Sequence, residues 1–72
     1  MTADQILQQY NASMDSVDLI NDGQPQGMLD EDWAGMLTRN KEHLIIMIAK
    51  DYWTNEDLKP FNAAISRKFD YI

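Results

Sequence analysis

Cysteine is absent from the 72 residues, and with it go disulfide bridges and thiolate zinc sites. Histidine occurs once, as His43, so a mixed-ligand transition-metal site lacks its usual donors. The first 36 residues contain no Lys or Arg. Long apolar runs are missing too. The most apolar stretch, LIIMIA at 44–49, is six residues long, against the roughly 20 that a membrane helix needs. The first ten residues, MTADQILQQY, have no basic flank and only Ile6 and Leu7 as adjacent strongly apolar residues. They are not expected to act as a secretory signal. A cysteine-free chain without a membrane segment fits a reducing compartment, and a cytoplasmic location is the expectation.

Charge is abundant but uneven. Residues 1–36 carry Asp4, Asp15, Asp18, Asp22, Asp30, Glu31 and Asp32, a net of -7; residues 37–72 carry six basic and five acidic residues, a net of +1. A chain with overall charge -6 lacks the positive surface that a phosphate backbone requires, so direct nucleic-acid binding is not expected. The acidic half suits the opposite role, contact with a basic protein surface. Asp15, Asp18, Asp22, Asp30, Glu31 and Asp32 form the candidate acidic surface.

Three helices follow from pattern and capping. Thr2 and Gln5 have capping-box spacing, so helix 1 begins near residue 3. Ile6, Leu7, Tyr10, Met14 and Val17 fall on one broad helical face. Asn11, Ser13 and Ser16 weaken the helix, which is expected over 3–14, or over 3–20 if Leu19 and Ile20 continue it. NDGQPQG at 21–27 is dense in turn residues, and a loop is expected over 21–29. The alternative is a hairpin between VDLI and GMLD, but these flanks are short and barely alternate. Helix 2 is expected over 30–52 with Asp30 as N-cap and Glu31 and Asp32 in its first turn, where negative charge is favourable. Thr54 and Asp57 also have capping-box spacing, but Pro60 argues for a later start of helix 3, with Asp57 as N-cap and the helix over 58–68. The fold class expected is all-α: a small three-helix domain with a long central helix, completed if necessary by oligomerisation.

Chemistry-bearing constellations are sparse. DEDW at 30–33 concentrates acid, but consecutive residues fan around a helix axis, and no EF-hand spacing follows. His43 has no Ser at helical spacing and no second His. Asp51, Glu56 and Asp57 could pair as carboxylates, yet so short a chain has little room for a substrate cleft. Gly23, Gly27 and Gly35 form no phosphate loop. No enzyme, cofactor or metal is expected.

The surplus of this sequence is apolar and aromatic. Trp33, Met36, Leu37, Leu44, Met47 and Ile48 form one stripe of helix 2, interrupted at Asn40. Ile45 lies at its border and Ile46 lies off it, so this segment is apolar on more than one side. Either two helices clamp it, or one face meets another subunit. Trp33 and Trp53 are too far apart to share the centre of one small core, which points to an interface role for one of them. The candidate interface is therefore Trp33, Ile45, Ile46, Tyr52 and Trp53. The function expected is a small acidic interaction or assembly module, bound to a protein partner or to itself. The alternatives are an acidic inhibitor or nucleic-acid mimic that occupies a basic protein surface, and a small helical nucleic-acid-binding domain using helix 3.

Overall fold

A computed structural model describes residues 1–67, of which 76% are helical and none is in a strand. Helix α1 spans Ala3–Asp22, α2 spans Asp30–Ile48 and α3 spans Asn55–Ser66. Each packs against the other two. The small all-α domain is the one that hydrophobic periodicity predicts.

Helix α1 opens as expected. The Thr2 hydroxyl accepts from the Gln5 N–H at 3.2 Å, and the Gln5 side chain accepts from the Thr2 N–H at 2.9 Å. It then runs past residue 14, and past 20, to Asp22. The weak intrinsic propensity of Ser13 and Ser16 is overridden because both turn inward with Val17 and Ile20. The segment VDLI is thus helical and the hairpin alternative is excluded. Gly23 ends the helix with φ of 83°, and Gly27 turns the loop with φ of 87°, both in the left-handed region where glycine is favoured.

Two helix boundaries correct the sequence reading. Leu29, not Asp30, is the N-cap of α2, since the Trp33 N–H bonds the Leu29 carbonyl at 3.0 Å. The Asp30 carboxylate instead accepts from the Gln24 side chain at 2.9 Å, bracing the loop. Helix α3 starts at Asn55, because Thr54 and Asp57 form a reciprocal capping box that satisfies two N–H groups at once. Pro60 therefore lies inside the helix. The carbonyl it leaves unpaired belongs to Glu56, an exposed residue with access to water.

The far end of α2 also differs from expectation. The helix stops at Ile48 instead of continuing to 52. The Trp53 indole N–H donates to the Met47 carbonyl at 2.7 Å, and the Lys50 N–H bonds the same oxygen at 3.1 Å. That carbonyl would otherwise accept from residue 51, so the chain turns and Trp53 folds back over the helix end. At the other terminus of α3, the Arg67 N–H bonds the Ala64 carbonyl at 3.2 Å. Lys41 of α2 donates to the Arg67 carbonyl, placing a cation where the helix dipole is negative. The helix ends at Ser66 instead of continuing to 68 as expected, because Arg67 takes extended backbone angles, -66° and 126°; Lys68 and the residues after it lie outside the described residues.

The core consists of Val17, Ile20, Trp33, Leu37, Leu44, Phe61 and Ala64, with Met47 buried beside it. Met36 and Ile48 flank it half-buried, so the predicted stripe of α2 faces inward. Full burial of a side chain such as Leu44 or Phe61 is worth about 1.5–3 kcal/mol. Tyr10 meets Trp53 and Phe61, while the Arg67 guanidinium reaches the Asn21 side chain at 3.2 Å. Helix α3 therefore runs parallel to α1. Leu7 is exposed despite its place in the predicted apolar face.

Candidate functional site

The two ends of the bundle differ in chemistry. At one end α1 finishes and α2 begins. Asp15, Asp18 and Asp22 lie on the outer side of the last turns of α1, and Asp30, Glu31 and Asp32 open α2; all six are exposed. Among the described residues no three His, Asp or Glu side chains converge as metal ligands would. Glu56 pairs with Lys59 at 3.1 Å and Asp57 is held in the capping box, so both have structural partners on α3.

At the other end lies an aromatic cluster. Trp53 stands edge-on to Phe61 with centroids 5.4 Å apart, and is 4.7 Å from the Tyr52 ring. Tyr10 completes the group at 5.7 Å from Phe61 and 6.2 Å from Trp53. These are the tilted and edge-to-face arrangements that aromatic quadrupoles favour. The Tyr52 hydroxyl donates to the Gln9 side chain, tying the turn after α2 to α1.

The five candidate interface residues separate in this geometry. Trp33 is corrected: it is 3% exposed and belongs to the core of its own chain. It is buried because residues 17–20 remained helical and brought Val17 and Ile20 into the core beside it. Tyr52 and Trp53 are half-buried and roof the aromatic end. Ile45 and Ile46 are 51% and 62% exposed. They sit where α2 ends, and the Tyr52–Gln9 and Tyr10–Trp53 contacts place the start of α1 at the same end of the bundle.

Around the two isoleucines, Glu42, Ala49 and Lys50 are also exposed. Ala49 keeps helical backbone angles, -74° and -13°, and its N–H bonds the Ile46 carbonyl at 3.3 Å. The chain thus follows a helical path as far as Lys50, and Glu42, Ile46 and Lys50 succeed one another at four-residue spacing. Among the described residues neither Glu42 nor Lys50 has an ion-pair partner. His43 is half-buried on the same helix. No described helix is long and apolar enough to cross a membrane.

Sequence reasoning missed several contributors. Ser13 is fully buried, and Leu29 is exposed at an N-cap. Periodicity could have placed Ser13 inward, one turn before Val17 and two before Ile20. Nothing in the sequence signals that Lys41 reaches the end of α3. The chain matches no known family model, no curated protein and no solved structure.

Proposed function

We propose that this protein is a small non-catalytic interaction module that docks through the exposed end of α2 onto another folded subunit. One observation carries the reading. Helices α1 and α3 both pack against α2, and Ile45 and Ile46 still stand outside. Two adjacent isoleucines on a helix surface lower solubility and contribute little to the core, so their use lies in covering by a partner. The packed aromatic cluster at the same end of the bundle supports the same reading, because a docking face needs a fixed scaffold.

The test compares a double variant, Ile45→Gln with Ile46→Gln, against Leu44→Ala. Leu44 is 0% exposed, and its truncation should destabilise by about 2–5 kcal/mol. The double variant should unfold within about 1 kcal/mol of the native chain. It should also lose association, read by sedimentation and by recovery of the tagged chain's partners from its native source. A double variant that associates as the native chain does, or that unfolds as readily as Leu44→Ala, would remove the docking reading.

A second reading rests on the exposed aspartates. Asp15, Asp18 and Asp22 follow a helical stripe, and α1 carries no basic residue in its last turn. Negative charge at a helix C-terminus opposes the dipole, so the fold gains nothing from Asp18 and Asp22 there. A basic protein surface would gain from them through steering and complementarity. Occupation of such a surface is the alternative function.

A further inference from the structure

We infer that the partner covering Ile45 and Ile46 is a second copy of this chain, joined by a two-fold axis beside Ile46 with the two α2 ends antiparallel. The inference rests on the docking reading above and adds the identity and register of the partner.

The register follows from spacing and charge. In an antiparallel pair centred on Ile46, residues four before and four after it come opposite one another. Glu42 then faces Lys50 of the partner subunit, and the symmetry repeats the pair, giving two ion pairs around an Ile46–Ile46 contact. Both side chains are exposed and neither has an ion-pair partner among the described residues. Ile45 and the small, exposed Ala49 extend the apolar strip on one side, and the short Ala49 side chain allows close approach. A parallel pair would instead set Glu42 against Glu42 and Lys50 against Lys50.

The charge of the whole molecule selects the same arrangement. Two copies of a chain with net charge -6 repel, so any stable contact must keep the acidic regions apart. Asp30, Glu31 and Asp32 lie at the opposite end of α2 from Ile46. With the α2 ends antiparallel, each helix runs away from the axis for 16 residues, roughly 24 Å. The two acidic helix starts are then roughly 48 Å apart, several times the Debye length of about 8 Å at physiological salt. A contact made through the last turns of α1 would bring those charges together.

The overlap is confined to the last turns of α2. That is less than the roughly 800 Å² per partner of a standard interface, so the dimer is weak and reversible. Sedimentation equilibrium should show the mass rising from monomer to dimer between about 1 µM and 1 mM. Glu42→Lys and Lys50→Glu, each alone, turn two attractive pairs into two repulsive ones and should weaken dimerisation tenfold or more. The double exchange, Glu42→Lys with Lys50→Glu, restores opposite charges and should return affinity to near the native value. Circular dichroism on all three variants checks that the helices are intact. A native chain that remains monomeric at about 1 mM overturns the inference. So does a dimer whose affinity is indifferent to both single exchanges, or a double exchange no tighter than the singles. If the native chain is monomeric and the Ile45, Ile46 variant still loses a different protein, only the second-copy assignment falls. If that variant loses nothing, the docking reading falls with it.

Discussion

Ser13 is the residue with the least comfortable environment in the fold. Its side chain is fully buried, and its hydroxyl has no hydrogen-bond partner among the described residues. A buried hydroxyl without a partner loses its hydration and regains nothing. Ser13→Ala removes that penalty and improves helix propensity, with a change of a single atom's volume. Chemical denaturation should show the variant more stable by about 1 kcal/mol, with an unchanged denaturant slope. A destabilised Ser13→Ala would mean that the hydroxyl is satisfied in solution. Ser13 also shows why a sequence reading of this core is incomplete. Serine is counted as a helix-weakening surface residue, yet its small size lets α1 lie close to its neighbours, and only the packed arrangement reveals which use applies.

The three helices begin with unequal chemistry. Thr2 and Thr54 each close a capping box, whereas α2 begins at Leu29 with no side-chain cap. Leu29 is 62% exposed, so its replacement removes little packing. Leu29→Ser supplies an oxygen for the first N–H groups of α2 and should raise stability by about 1 kcal/mol, measured as a higher thermal midpoint. A lower midpoint would show that Leu29 packs in a way its exposure conceals. Helix number, type and the inward stripe of α2 were legible from periodicity, because those patterns are local. Ends were less so. The start of α3 at Asn55 turned on a contest between a capping box and a proline, and the box prevailed where the orphaned carbonyl of Glu56 could face water. The stop of α2 at Ile48 depends on Trp53 reaching back to Met47, a contact six residues away that no periodicity announces. The exposure of Ile45 and Ile46 was legible because they break the stripe. Trp33 was assigned both to the inward stripe and to the candidate interface, and its burial with Val17 and Ile20 agrees with the stripe.

At the scale of the molecule, six exposed acidic residues gather where α1 ends and α2 begins, while Ile45 and Ile46 stand exposed toward the other end of α2. Replacing Asp15, Asp18 and Asp22 by Asn removes three charges at nearly constant side-chain size. All three are exposed, and Asp18 and Asp22 lie at the unfavourable end of the α1 dipole. The triple variant should therefore be slightly more stable than the native chain, by less than about 1 kcal/mol. Its association should persist and tighten as mutual repulsion falls, with a shallower dependence on added salt. Loss of association in that variant would favour the alternative reading, in which the acidic surface itself is the contact. The placement of the two tryptophans has a spectroscopic consequence. Trp33 is sealed in the core, whereas Trp53 is half-buried among Tyr10, Tyr52 and Phe61 at the apolar end. Their fluorescence therefore divides the labour. With Trp53 replaced by Phe, the remaining emission follows loss of the core. With Trp33 replaced by Phe, it follows the environment of the aromatic end, where quenching by added iodide reads how far solvent reaches. The chain thus carries, without any label, one optical probe for its folding and another for the surface it presents.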